Sequence, residues 1–209
     1  MTPDAQSARD DLAFIKALVG DDENTQMRTF GESYLAAGLI YGAQMILHAV
    51  QAGGFLPNTP AVGLGVGLGP TLVFIPVISW IVYKNRAKKA GQGATGRAIG
   101  NIFGAIGLAN FFLIAVIGSV ALQEHSIHIW LIYPCCIFVL QGTAWLFTFM
   151  MRRHGWHLAV AMGFFVTAVA AAYVIPTSIG LFILFLGIGM WGCMALPGWL
   201  ILRNTRAAG

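Results

Sequence analysis

Charged side chains are scarce in this chain. Asp, Glu, Lys and Arg together make up 10% of its 209 residues, whereas hydrophobic residues make up 57%. A soluble domain carries about 25% charged residues, because water must solvate its surface. The low charge, together with a mean hydropathy of +0.75, excludes a soluble globular protein and indicates a protein embedded in a membrane.

Cysteine is also rare, and its spacing builds neither a disulfide framework nor a zinc site. Cys135, Cys136 and Cys193 lie inside apolar segments and form no C-x-x-C motif. We therefore expect small buried residues at these positions. Lysine and carboxylates are missing from the apolar segments as well, so these segments contain no buried acid–base pair for catalysis. The sequence therefore favours a non-catalytic protein that needs no cofactor.

What the chain does contain is six apolar blocks, none of which includes Asp, Glu, Lys or Arg. Each is long enough to cross the hydrocarbon core as a helix of about 20 residues. They predict an all-α, polytopic integral membrane protein, folded as a six-transmembrane-helix bundle. The spans are expected near residues 33–52, 61–83, 98–122, 129–151, 156–175 and 179–202.

The segment before the first span is acidic, since residues 1–32 hold seven of the eight acidic residues. Apolar residues recur at helical spacing over residues 12–19, which predicts a short amphipathic helix. Two placements of this helix are open, on the inner leaflet or docked on the bundle. Docking is favoured, because the carboxylates of this segment would be repelled by anionic lipid. The chain is thus divided into a cytoplasmic segment (1–32), a membrane domain (33–202) and a cytoplasmic tail (203–209). The cytoplasmic segment 1–32 is the expected contact for a protein partner.

All twelve basic residues fall on one side of the predicted bundle, and the loops near 53–60, 123–128 and 176–178 contain none. The positive-inside rule makes that side cytoplasmic, which predicts a multi-pass inner-membrane protein with both termini in the cytoplasm. This topology explains the net charge of +4 without nucleic-acid binding. Aromatic residues lie at the expected interfaces: Tyr34, Trp80, Tyr83, Trp156 and Trp199 at the inner ends, and Trp130, Tyr133 and Tyr173 at the outer ends.

Small residues form stripes in spans two and three. Gly63, Gly65, Gly67 and Gly69 alternate in span two, and Gly100, Gly104 and Gly107 share a face of span three. Such stripes predict close helix packing, with span two held between two neighbours. Pro70 and Pro76 then remove backbone donors from span two. This favours either a kinked packing helix or a broken helix beside a solute path.

Span one carries a polar stripe, because Tyr41, Gln44, His48 and Gln51 share one helical face. Lipid should not cover such a face. Gln44 has counterparts at similar depth in two other spans, and two interpretations stay open. The side chains either bond neighbouring helices together, or they line a ligand-binding polar cavity formed by Tyr41, Gln44, His48, Gln51, Asn110 and Gln141.

A second candidate site lies at the predicted outer surface, where His48, Glu124, His125 and His128 are found. Imidazole with carboxylate suits a divalent metal such as zinc, copper or nickel, which is the one cofactor that the sequence suggests. The alternative is a set of interfacial histidines that hydrogen-bond at the membrane surface. On the inner side, the basic run at residues 152–157 is interpreted as an anchor to anionic headgroups.

These features favour a non-catalytic inner-membrane protein that acts by interaction, as a sensor or accessory subunit. The first alternative is a small transporter or channel for a neutral or weakly polar solute, which would use span two and the polar stripe. A metal-binding membrane protein is the second alternative. The expected environment is the lipid bilayer, and the sequence leaves open whether the protein forms an oligomer. The absence of carboxylates from the spans argues against a proton-coupled pump.

The charge pattern generates a topology prediction. Reporter fusions after residues 56, 125 and 177 should report the periplasm, and fusions after 90, 153 and 206 the cytoplasm, because basic loops are retained inside. Paired alkaline phosphatase and fluorescent-protein reporters measure both states. A cytoplasmic signal at position 125 would contradict the six-span topology.

Overall fold

The computed structural model describes the backbone of residues 3–57, 59–85 and 94–207, and the side chains of 27–57, 59–85 and 95–205. Over these ranges the chain is helical apart from short turns. The helices are α1 (Pro3–Ala52), α2 (Pro60–Lys84), α3 (Ala94–Gln123), α4 (Ile127–Arg152), α5 (Gly155–Val174), α6 (Ile179–Met190) and α7 (Leu196–Ala207), with a π-helical turn at Trp191–Ala195.

Six stretches of these helices are long and apolar enough to cross a membrane, which confirms the predicted six-span bundle within the described ranges. They are Met27–Ala52, Pro60–Lys84, Thr95–Gln123, Ile127–Arg152, Gly155–Val174 and Ile179–Thr205. The last span consists of α6, the π-helical turn and α7. We call the end of the bundle that carries Arg28, Lys84, Arg97, Arg152 and Arg203 the basic end.

The predicted N-terminal helix is continuous with span one, since α1 is a single helix of 50 residues. No proline interrupts the chain between residues 4 and 52, so nothing in the backbone chemistry forces a break. The side chains of residues 3–26 lie outside the described residues. The predictions that this segment docks on the bundle and contacts a partner therefore concern side chains that the structure does not describe.

The spans divide into a core and a periphery. Helix α1 packs along the last span, α4 packs along α5, and α5 packs against α6. At the edge, α2 packs along α1 and α3 along α4. In the most apolar stretch of α2, and likewise of α3, 6% of the residues are buried inside the protein. In the most apolar stretch of the last span, 39% are buried.

The closest approach of two backbones is between α1 and the last span. A Cβ atom added to Gly38 would overlap the backbone of Ala195, and one added to Gly198 would lie 2.9 Å from the carbonyl oxygen of Gly31. Only glycine allows helices to come so near. The π-helical turn at this contact ends two residues before Pro197, which cannot donate to the carbonyl four residues earlier.

The glycine stripes of α2 and α3 do not pack closely within the chain. Among the described residues, no atom lies within 4 Å of a Cβ built on Gly65, Gly67, Gly69, Gly104 or Gly107. The prediction that span two is held between two neighbouring spans is therefore wrong for this chain. Among the described helices, α2 packs along α1. The sequence shows which face of a helix carries small residues, but it does not show which helix packs against that face.

At the basic end, Glu32 joins α1 to the end of α2. Its Oε1 lies 3.6 Å from Lys84 Nζ and 3.2 Å from Arg28 Nε. The amide of Asn85 donates to Oε2 at 3.2 Å. The carboxylate is thus surrounded by donors. Because Arg28 and Lys84 are about half exposed, each ion pair is expected to contribute less than about 1 kcal/mol.

A pair of glycine variants tests the division into core and periphery. Alanine normally stabilises a helix interior by about 1 kcal/mol relative to glycine. We expect Gly69→Ala to be neutral or stabilising, and Gly38→Ala to lower the free energy of unfolding by about 1–3 kcal/mol, because its methyl group overpacks the contact with Ala195. Denaturant titration in mixed micelles measures both variants. An equal effect of the two substitutions would contradict the assignment.

Candidate functional site

A hydrogen-bonded chain connects α1 and α4 inside the core. The indole N–H of Trp145 donates to the Tyr34 hydroxyl at 2.8 Å, and this hydroxyl donates to Gln141 Oε1 at 2.8 Å. Tyr34 is 6% exposed and Trp145 is 1% exposed. The prediction that Tyr34 is an interfacial aromatic residue is therefore wrong, because its hydroxyl finds both partners inside the bundle.

Aromatic rings enclose this hydrogen-bonded chain. Phe30 stacks on Tyr34 with 4.8 Å between ring centroids, and Phe103 of α3 meets Tyr34 edge-on at 5.7 Å. On the other side, Trp145 stacks on His157 of α5 at 5.6 Å. This aromatic cluster joins α1, α3, α4 and α5 at one level. Ring pairs in such geometries add about 0.5–1.5 kcal/mol each beyond the area that they bury.

Gln44, a predicted cavity residue, holds α2 against α1. Its Nε2 donates to the carbonyl oxygen of Gly67 at 2.9 Å, and the residue is 8% exposed. Pro70, three residues further along α2, leaves the carbonyl of Val66 rather than that of Gly67 without its helical donor. The carbonyl of Gly67 therefore accepts from Gln44 in addition to its place in the helix. The bond links α1 to α2, as expected of an interhelical hydrogen bond.

The other residues of the polar stripe also lie beside α2. The ring of Tyr41 is 5.2 Å from that of Phe74, and His48 hydrogen-bonds with the side chain of Gln51 one turn further on. All three residues of the stripe besides Gln44 are partly buried. This agrees with the expectation that a neighbouring helix, rather than lipid, covers the stripe.

The three amides at mid-depth do not form one network. Gln44 bonds to α2 and Gln141 to Tyr34, whereas the buried Oδ1 of Asn110 has no hydrogen-bond partner among the described residues. The side-chain amides of Gln44 and Gln141 each link one helix to another, so the geometry favours interhelical hydrogen bonds over a shared ligand cavity. Such bonds contribute about 0.6 kcal/mol each on average.

The candidate metal ligands are not brought together. Among the residues with described side chains, no three His, Cys, Asp or Glu side chains are placed to hold one ion. His48 lies on α1, whereas Glu124, His125 and His128 lie at the junction of α3 and α4. The proposed grouping of these four residues is therefore wrong, since the fold does not bring three of them together around one ion.

A cavity of about 400 Å³ lies at the end of the bundle opposite the basic end, between the end of α3 and the start of α4. His125, Ser126 and Trp130 contribute to its lining, which is otherwise apolar. No carboxylate or lysine is among the lining residues. The cavity therefore offers neither a metal site nor an acid–base pair.

A second cavity, of about 210 Å³, lies at the basic end, where α4, α5 and α7 meet. It is lined by Met27, Arg152, His154, Trp156, His157, Ile201, Asn204 and Thr205. His157 is 1% exposed, and Trp156 covers its ring with 4.0 Å between centroids. The interpretation of residues 152–157 as a surface anchor is therefore wrong for His157, which is buried because two indole rings pack on it.

Sequence reasoning missed two features of this site. Tyr34 and Trp145 are 111 residues apart, and no periodic pattern links a tyrosine in one span with a tryptophan in another. His157 could have been suspected from its place between Trp156 and an apolar helix, but the neighbouring arginines directed the interpretation to the surface. Long-range pairing is the information that the sequence pattern lacks.

No family model, curated protein or solved structure matches this chain. Its function is therefore argued from packing, polar contacts and cavities alone.

Proposed function

We propose that this chain is a non-catalytic inner-membrane protein, with both termini in the cytoplasm, that acts as a sensor or accessory subunit by binding another membrane-spanning protein. The observation that carries the proposal is the outward glycine stripe of α2. Gly65 and Gly69 have no neighbouring atom of a described residue within 4 Å of an added Cβ. The one-sided placement of the basic residues supports the topology.

A glycine stripe is poorly suited to a lipid-facing surface. Each glycine costs a helix about 1 kcal/mol relative to alanine, and it offers lipid chains little surface to contact. The cost is offset when a second helix enters the furrow, because van der Waals packing drives helix association in lipid. Leu64, Leu68 and Leu72 are more than half exposed and form the ridges beside this furrow.

Helix α3 has the same character. Gly104 and Gly107 have no neighbour within 4 Å of an added Cβ, and α3 is as weakly buried as α2. In the core, by contrast, glycines such as Gly38 and Gly198 are in tight contact. The chain therefore uses glycine for close packing where a partner helix is present. We infer that the glycines of α2 and α3 have the same role with a helix of another protein.

Transport of a small polar solute is the competing proposal, and the amides of the polar stripe argue against it. Gln44 and Gln141 are both bonded to neighbouring helices. The two cavities described above lie at opposite ends of the bundle, and neither of them includes a residue of the polar stripe. A solute passing through would have to break the bonds that hold α1 to α2 and α4.

Photo-crosslinking in native membranes tests the interaction. A benzophenone amino acid at Val73, one turn beyond Gly69 and 55% exposed, should form a discrete adduct with a protein. The same group at Val166 of α5, which is 62% exposed, should label lipid only. Gly69→Leu should abolish the adduct at position 73, since a large side chain holds helices apart.

Two results would contradict the proposal. One is lipid labelling alone at both positions. The other is an adduct at position 73 that Gly69→Leu leaves unchanged, because contact through the stripe requires the small residue. Val169→Leu serves as the control for expression and insertion, since this residue of α5 is 70% exposed and lies away from the furrow.

A further inference from the structure

The cavity between the end of α3 and the start of α4 (the α3–α4 cavity) is large enough for a small molecule. Its volume of about 400 Å³ lies within the roughly 300–1,000 Å³ of pockets for drug-sized ligands. A Cβ atom added to Gly118 of α3 would lie 3.3 Å from the six-membered ring of Trp130, so this indole lies against the backbone of α3. Two small residues, Gly118 and Ala121, line the cavity together with the indole. A larger side chain at either position would take up its space.

The turn between the two helices supplies polar groups to this cavity. The backbone N–H of Ser126 donates to the carbonyl oxygen of Ala121 at 3.0 Å, so the end of α3 satisfies the backbone of the turn. The hydroxyl of Ser126, by contrast, makes no hydrogen bond to the first turn of α4, although serine is a common helix cap. The polar side-chain groups of the lining are this hydroxyl, the imidazole of His125 and the indole N–H of Trp130.

The chemistry of the lining selects an uncharged head. None of the lining residues is Asp, Glu, Lys or Arg, and Glu124, which precedes the turn residue His125, is exposed and does not line the cavity. A charged group would lose hydration here without gaining a counter-charge, which is costly. An indole N–H can only donate a hydrogen bond, and a hydroxyl and an imidazole can donate as well. The matching group is therefore a neutral oxygen that accepts hydrogen bonds.

The apolar part of the lining suits a single hydrocarbon chain. Leu122 is 77% exposed and Ile127 is 54% exposed, and both line the cavity, so it opens onto the lipid-facing surface. A volume of about 400 Å³ holds about 13 groups of the size of water, at roughly 30 Å³ each. This is enough for a small head and the first carbons of one chain, and the rest of the chain can continue along the bundle surface.

We propose that the α3–α4 cavity binds an uncharged single-chain lipid with a small oxygen-bearing head, of the monoacylglycerol type. The head oxygens accept hydrogen bonds from the polar groups of the lining, and the chain lies beside Leu122 and Ile127. The cavity lies where two spans end, which is the level at which headgroups meet hydrocarbon and at which a ring such as that of Trp130 is favoured. The inference does not depend on the helix contacts proposed for α2 and α3.

Fluorescence quenching tests the proposal with the full chain in phosphatidylcholine vesicles. Three lipids with brominated chains are added separately at equal mole fraction: a monoacylglycerol, an alkyl sulfate and phosphatidylcholine itself. Bromine quenches an indole that it contacts, and the difference between the wild type and Trp130→Phe isolates the signal of Trp130. We expect the monoacylglycerol to be preferred over phosphatidylcholine about tenfold or more. The alkyl sulfate should show no such preference.

Two pairs of variants separate this site from general lipid contact. Ser126→Ala should weaken the preference about threefold to tenfold, since it removes one hydrogen bond. Its control is Ser119→Ala, because the Ser119 hydroxyl bonds to the Val116 carbonyl of its own helix at 2.9 Å and does not line the cavity. Ala121→Leu fills the cavity and should abolish the preference. Val116→Leu, at a residue that is 59% exposed and outside the cavity, should retain it.

Equal quenching by the three lipids would overturn the proposal, because it would indicate ordinary lipid contact. Stronger quenching by the alkyl sulfate would also overturn it, since it would indicate an anion site. Equal effects of Ser126→Ala and Ser119→Ala would do the same. If Ala121→Leu does not fold, the two serine variants decide the question. These measurements need no second protein, so their failure is distinct from a failure of the crosslinking at position 73.

Discussion

The hydroxyl of Tyr34 is the point at which the packing of this bundle and its polar groups meet. Inside hydrocarbon, a polar atom without a partner is costly, and here one hydroxyl serves the indole of Trp145 and the amide of Gln141. The bonds fix α1 against α4. They also set the position of Trp145, whose ring then packs on His157. The form of the basic-end cavity thus follows from a contact in the neighbouring core.

Glycine has two different uses in the chain, and the difference separates the core from the periphery. In α1 and the last span, Gly38 and Gly198 lie against backbone atoms, so this contact has no room for a larger side chain. In α2, the furrow at Gly65 and Gly69 is open. Because α2 is held to α1 through the bond from Gln44 to the Gly67 carbonyl, the furrow can face outward while α2 stays at the edge of the bundle.

The sequence was sufficient to predict the six spans, because hydropathy and length determine whether a helix can cross a bilayer. It was insufficient to predict which helices pack against each other. Tyr34 lies near the start of a span, so position alone assigned it to the interface, although its partners are more than a hundred residues away. The proposed grouping of metal ligands failed for the same reason, since His48 and the ligands near His125 share a predicted side of the membrane, but no three of them come together around one ion. Gly38 and Gly42 are four residues apart in span one, a spacing typical of close helix packing, but only the contacts with Ala195 and Trp191 reveal which helix they meet.

The central claim, that one buried hydroxyl holds α1 against α4, is tested by the free energy of unfolding of Tyr34→Phe in mixed micelles. The account predicts a loss of about 1–3 kcal/mol, because two buried groups lose their partner while the ring contacts remain. Tyr41→Phe is the matched control, since its ring keeps the contact with Phe74, and it should change stability by less than about 0.5 kcal/mol. Equal stability of the two variants would contradict the claim.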